Sequence, residues 1–260
     1  TRNIFPLKLF EYLAAGLPVV AGGLPELARF ADVIGLPASA ADYPEEVRRA
    51  LGLPARRELT TGLVLPGRPP QLCNGCPHRD AFHAMGMALE GRERSVVAGD
   101  IGCYTLGALA PFQALESCVC MGASIGMAKG ASDAGLRPAV AVIGDSTFLH
   151  SGITPLLDAV AHDTDMTVLI LDNGTVGMTG QQPTVAPHSA IEAVVRGTGV
   201  SAEHLQVVDL HPKRVGDVAE LIRREVAHPG LSVIIAVREC VEAARKHKAV
   251  EKRREGGGAS

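Results

Sequence analysis

The sequence predicts an α/β fold: a parallel sheet flanked by helices on both faces, preceded by a small α/β fragment. Three observations predict it. Four strand-like runs, RSVVAG, PAVAVIG, MTVLILD and LSVIIAV, are apolar throughout instead of alternating, the pattern of strands buried on both faces. Segments of helical period lie between them, as crossover connections require. The composition fits the same picture: 47% hydrophobic residues and 29 glycines, but 3% aromatics and no Trp. Such a core is built from Ala, Val, Leu and Ile, with small residues where helix meets sheet.

The elements follow in order. LKLFEYLAAG reads as a helix ending at Gly16, LPVVAG as a short buried strand, LPELARFAD as a helix with Pro25 in its first turn, and YPEEVRRAL as another short helix. These make residues 1–53 a small α/β fragment. Residues 54–71 read as a linker: the stretch from residue 52 to 71, GLPARRELTTGLVLPGRPPQ, carries four prolines and three glycines. From Leu72 the character changes, and residues 72–240 form the main domain. DAFHAMGMALEG is helical, and RSVVAGDIG is a strand that stops at Asp100. VCMGASIGMAKGASDAG has helical length. ITPLLDAVAHD, AIEAVVRGTG and VGDVAELIRREVAH have helical spacing and separate the remaining strands. Residues 241–260, charged and then glycine-rich, read as a disordered tail.

Charge and composition exclude several classes. A net charge of −3 offers no basic footprint for nucleic acid. No apolar run reaches the ~20 residues of a membrane span. The first twenty residues show no small-residue cleavage site, so a cytoplasmic location is expected. Six cysteines in 260 residues suggest metal or redox chemistry more than a disulfide scaffold.

The strand-like runs end in GD, GD, DN and RE. In open parallel sheets ligands sit at the carboxyl ends of strands. Asp145 follows Gly144 at one such end, and Asn173 follows Asp172 at the next, with 26 residues between Ser146 and Asn173. That span holds a crossover helix and a second strand. A carboxylate, an amide oxygen and a loop carbonyl make half of an octahedral magnesium shell, and phosphate oxygens and water would complete it. Gly144 would let an anion approach the backbone. The plainer reading of Asp145 taken alone is a helix N-cap or a turn aspartate. Cys73 and Cys76 form a Cys-x-x-Cys pair before a helix, Cys103 follows one strand and Cys240 another. Four thiolates can hold an iron–sulfur cluster or zinc, and the other reading is plain buried thiols. Cys118 and Cys120 read as packing or pocket lining.

GDSTFLHSG…LILDNGTVGMTGQQP resembles the thiamine diphosphate fingerprint, with Ser146 where Gly is usual. Together with LCNGCPHR, AGDIGCYTLGAL and CVCMGASIGMAKG, residues 65–240 resemble the alpha-subunit family of indolepyruvate ferredoxin oxidoreductases. The resemblance implies a thiamine diphosphate-binding fold that acts on aryl 2-oxo acids. Its implied cofactors are thiamine diphosphate and Mg²⁺, with coenzyme A as co-substrate and ferredoxin as acceptor. It implies Mg²⁺ on the Asp145 and Asn173 side chains and the Thr175 carbonyl. The cofactor pocket would be lined by Asp100, Gly102, Cys103, Gly122, Gly144, Ser146, Thr179, Gly180 and Gln181. It also implies a four-iron cluster on Cys73, Cys76, Cys103 and Cys240, and makes His78 and His150 the candidate catalytic groups. The implied partners are a pyrimidine-binding domain that supplies an activating glutamate, and a beta subunit. No segment of the sequence resembles that pyrimidine domain, so the chain alone is not expected to turn over. PLKLFEYLAAGLPVVAGGLPELARFAD resembles the donor-binding end of a GT-B glycosyltransferase. Glu11 would contact the nucleotide-sugar, and Asn3 stands where a second acid is usual. A non-catalytic diphosphate- or metal-binding remnant and a nucleotide-sugar transferase are the rival functions.

Overall fold

The structure, a computed structural model, describes residues 19–20, 31, 34–36, 42–54, 70–92, 94–186 and 188–256. The chain divides into two compact units, 1–67 and 68–260, so the boundary falls inside the expected linker. In the first unit, Val20 and Gly35 form a parallel bridge, and helix α1 spans Tyr43–Ala50. Glu45 and Glu46 lie in its first turn and Arg48 and Arg49 in its last, matching the helix dipole. The helices expected at LKLFEYLAAG and LPELARFAD fall on residues outside the described ones, Ala31 apart, and so do Asn3 and Glu11.

The second unit is a six-stranded, all-parallel sheet in the order β2-β1-β3-β4-β8-β7. Its strands are β1 Val96–Gly99, β2 Ser117–Cys118, β3 Ala139–Gly144, β4 Met166–Asp172, β7 Leu205–Asp209 and β8 Leu231–Val237. A small antiparallel pair, β5 Thr175–Val176 with β6 Gln182–Pro183, follows β4. Every residue of β3 and β4 is buried, as their continuous apolar sequences predict. Period-two alternation sends Val140, Val142, Leu169 and Leu171 to one face and Ala139, Ala141, Ile143, Val168 and Ile170 to the other.

The first face is covered by α2 (Pro77–Leu89) and α6 (Val215–Ala227). Pro77 starts α2 where no intrahelical N–H is needed, and its buried stripe Ala81, Phe82, Met85 and Ala88 repeats at helical spacing. The second face is covered by α3 (Ala123–Asp133), α4 (Ile153–Ala161) and α5 (His188–Gly197). Ahead of α4, the chain passes through a helical turn, Asp145–Thr147, and a π-helical segment, Phe148–Gly152.

Two expectations are corrected, and one strand is added that the sequence reading did not name. The segment VCMG is not helical: it follows an edge strand, Ser117–Cys118, and α3 begins only at Ala123. LQVVD, which carries too short an alternation to stand out, is β7. The expected disordered tail is helix α7 over Val241–Gly256, with Ala243 buried. Among the described residues no helix is long and apolar enough to cross a membrane.

Candidate functional site

The strand order switches direction at β1. β2 lies on one side of it and β3 on the other, so the carboxyl ends of β1, β3 and β4 frame a crevice. Asp145 stands at the end of β3, almost fully buried. Its Oδ1 accepts the Ser146 N–H at 2.7 Å and its Oδ2 accepts the Gly174 N–H at 3.0 Å. The ends of β3 and β4 therefore touch. Gly174 has φ +72°, a left-handed turn suited to glycine, and its N–H is shared with Asp172 Oδ1 at 3.2 Å. Asn173 Oδ1 accepts the Thr175 N–H at 3.0 Å, an Asx-turn that holds the loop. The Thr175 hydroxyl donates to the Gln182 carbonyl at 2.9 Å and so ties on β6. Asp145, Asn173 and Thr175 line one cavity of about 60 Å³, with His78, Tyr104 and Ser146.

The electrostatics suit a cation. Burial, helped by the nearby Asp172 charge, pushes the Asp145 carboxyl up to about 6 against the pull of the two amides and His188. A bound divalent ion would reverse that balance. Several buried polar atoms here have no partner: His78 Nε2, Ser146 Oγ, Asp172 Oδ2 and Gln181 Oε1. Buried groups of this kind are ordinarily satisfied; of the four, His78 and Ser146 line the cavity of Asp145, and their two atoms fit a ligand with polar oxygens. Asp172 Oδ1 is engaged by His188 Nδ1 at 2.6 Å.

The remaining predicted residues are sorted by the geometry. Asp100 is fully buried and does not line the cavity. Its Oδ1 accepts the Gly122 N–H at 2.7 Å and the Ile101 N–H at 3.0 Å, and its Oδ2 accepts the Ser124 N–H at 3.1 Å. It pins the start of α3 to the end of β1. Gly122 has φ +86°, and a Cβ there would lie 2.6 Å from the Ser151 carbonyl oxygen. Gly144 is glycine for packing: an added Cβ would sit 2.5 Å from Tyr104 Cε1. Gly102 likewise leaves room for the Tyr104 ring. Tyr104, whose hydroxyl donates to the Ile101 carbonyl at 2.9 Å, escaped the sequence reading. The two glycines that seat it were the signal.

His78 is buried, and desolvation lowers it to about 4, so it is neutral. Its ring meets Tyr104 edge-on at 5.9 Å. His150 is exposed, pairs through Nδ1 with Ser151 Oγ, and lines a second, apolar cavity of about 440 Å³. That cavity shares Ser146 with the first and is walled by Ile101, Met121, Leu149, Met178 and Val185, with Thr179 at its edge. Thr179 donates to Gln182 Oε1 at 2.7 Å, and the Gly180 carbonyl accepts from Lys246 Nζ at 3.4 Å. Gln181 takes φ +66° and faces a third cavity.

That third cavity, about 70 Å³, is lined by Cys73, Cys76, Cys103 and Cys240, with His78 and Asn173 between it and the first. All six cysteines are free thiols. Burial, with the other three thiols adding, pushes Cys76 up to about 11. A Cβ at Gly177 would lie 3.3 Å from Cys103 Sγ and 4.0 Å from Cys240 Sγ. Among the described residues no three His, Cys, Asp or Glu are drawn tightly enough together to hold a single metal ion. Cys118 instead donates to the Asp100 carbonyl at 3.5 Å, and Cys120 is exposed.

A parallel sheet ending in an acid, an amide and a glycine turn around one crevice defines an α/β domain that binds a phosphorylated cofactor. The chain belongs to the family "Thiamine pyrophosphate enzyme, C-terminal TPP binding domain", whose profile matches residues 100–236, just over half of its length. It is 38% identical over 213 residues to indolepyruvate oxidoreductase subunit IorA of Archaeoglobus fulgidus, covering 75% of this chain and 33% of that one. It is 39% identical over 220 residues to the same subunit of Methanothermobacter marburgensis, covering 77% and 35%. The chain thus spans about a third of the length of these relatives. A solved 2-oxoglutarate:ferredoxin oxidoreductase from Magnetococcus marinus shares the fold, with a TM-score of 0.52 at 18% identity over 67% of this chain and 66% of that one. The glycosyltransferase likeness of residues 1–53 is not borne out by these comparisons.

Proposed function

We propose that residues 68–260 form the diphosphate-binding part of a thiamine-dependent oxidoreductase acting on 2-oxo acids. The observation that carries this reading is the junction of Asp145 with the Asn173–Thr175 loop at one cavity, beside the unpartnered Ser146 and His78 atoms. Asp145, the Asn173 amide and the Thr175 carbonyl would hold Mg²⁺, and the diphosphate would complete its shell. When bound, the thiazolium supplies the electron sink for decarboxylation. The chain's own residues then bind and orient. Asp172 and Gly174 fix the loop, and neutral His78 offers Nε2 to a ligand. The apolar walls around Met121, Met178 and Val185 exclude water. His150 stands at their mouth, placed to exchange a proton with solvent.

Four thiols lining one cavity without crowding a single point suit a polynuclear iron–sulfur cluster better than zinc, whose bonds of about 2.3 Å would draw all four together. The names of the relatives favour indolepyruvate and similar aryl 2-oxo acids. A pyrimidine-binding domain, a second subunit, ferredoxin and coenzyme A are the partners this reading requires.

The test is a thermal-shift and calorimetric comparison. Thiamine diphosphate with Mg²⁺ should stabilise the chain by about 2.7 kcal/mol at a hundredfold excess over Kd, while neither does so alone. Asp145→Asn should abolish the effect. No binding, even after a pyrimidine-domain partner is added, overturns the proposal. Binding without turnover in the full set of partners favours the non-catalytic remnant.

A further inference from the structure

Arg238 follows β8, at the same sheet end as both cavities. Its guanidinium is 23% exposed and pairs with Asp80, 17% exposed, in the first turn of α2. The same Nη1 reaches the Leu210 carbonyl at 3.5 Å, and Nη2 donates to the Gly75 carbonyl at 3.3 Å. Gly75 lies inside the Cys73–Cys76 loop and takes φ +79°. The Arg238 backbone N–H donates to the Asp172 carbonyl at 3.0 Å. Two residues further on, the Cys240 N–H donates to the Asn173 carbonyl at 3.0 Å. One short segment therefore joins the Cys-x-x-Cys loop, the end of β4 and the strand that delivers Cys240.

We propose that Arg238 is the positioning residue of the four-thiol cavity: with Asp80 it clamps the Cys73–Cys76 loop against the end of β8 and so sets the distance from that pair to Cys240. The guanidinium reaches the Asp80 carboxylate through one nitrogen and the Gly75 carbonyl through the other, an arrangement the single nitrogen of Lys does not reproduce. The Cys73–Cys76 loop turns tightly, with the Cys76 N–H on the Cys73 carbonyl at 3.1 Å. That internal bond fixes the loop's shape but not its place relative to β8. The Gly75 carbonyl and Asp80 supply the place, through Arg238. The proposal rests on the reading of the four thiols as one ligand set, and its experiment separates the two.

Arg238→Met, Arg238→Lys and Asp80→Asn are made in a chain whose Cys118 and Cys120 are serine; for the bridging assay Cys73 and Cys103 are serine as well, so that Cys76 and Cys240 are the reporting pair. In metal-free, reduced protein, dibromobimane fluoresces only where it bridges two thiols within its reach. Bridging should be fast in the parent, several-fold slower in Arg238→Met, and intermediate in Arg238→Lys. After anaerobic reconstitution with iron and sulfide, the cluster's affinity against a chelator should fall on the order of 10- to 100-fold in Arg238→Met. Adding Asp80→Asn to it should cost little more, since the two act as one unit. Parent-like bridging in a folded Arg238→Met overturns the proposal. Should that variant fail to fold, parent-like bridging in both Arg238→Lys and Asp80→Asn overturns it equally. A parent that takes up no iron refutes the cluster reading, while the bridging rates still judge Arg238.

Discussion

The Asp100 carboxylate illustrates how much a single buried acid can organise through backbone amides. It accepts three backbone N–H groups, two of them from Gly122 and Ser124 at the start of α3. Acids at a helix N-terminus gain from the dipole, and more when buried. The latch works only because Gly122 can turn left-handed and lie flat against Ser151. Gly122→Ala should therefore destabilise the chain by about 1–3 kcal/mol or more, through backbone strain and overlap together. Urea denaturation measures it, with an unchanged m-value expected. The sequence separates such roles poorly. Asp145 and Asn173 were legible because their spacing fits a strand, a crossover and a strand. Asp100, in an identical Gly-Asp pair, looks the same in one dimension and differs only in which amides the fold brings to it. The seat of Tyr104 between Gly102 and Gly144 is tertiary in the same sense: residues forty positions apart share it.

At the scale of elements, the strands that were legible are those buried on both faces. Their apolar runs leave no alternative, whereas Ser117–Cys118 is too short to show a period and Leu205–Asp209 is partly exposed. The helix Val241–Gly256 was obscured by its charges, because a solvated helix and a disordered segment share a composition. A further element-scale device sits at the end of α6. Glu225, 2% exposed, accepts from His204 at 2.9 Å, from Ser232 at 3.1 Å and from Arg224 at 3.0 Å. Burial alone would raise its carboxyl, but these three partners outweigh it and hold it below its ordinary 4.5. A depressed folded pKa contributes stability that is complete above the unfolded value and is lost as pH falls through the folded one. Glu225→Gln should thus cost roughly 1–3 kcal/mol at neutral pH. The gap to wild type should close on acidification below about pH 4.5. Denaturant titrations at the two pH values check both statements.

At the scale of the whole molecule, the chain divides into two compact units after residue 67. The second contains both faces of the core and every residue of the proposed cofactor and thiol sites. A polypeptide of residues 68–260 should unfold cooperatively by itself. It should also show the same thermal shift with Mg²⁺ and thiamine diphosphate as the longer chain. Loss of either behaviour would make the first unit part of the second's fold. The layered α/β architecture could be read from alternating segments, but the strand order could not, since no local pattern states which neighbour a parallel strand will choose.

That order has a consequence for biosynthesis. β8, the last strand of the sheet in sequence, is inserted between β4 and β7 instead of being added at an edge. Until the ribosome has released it, a nascent polypeptide presents one entire side of β4 bare, and β7 has no strand to lie against. Completion of the sheet is thereby postponed until β8 has emerged, and the half-built intermediate is the species a chaperone would be called on to shield.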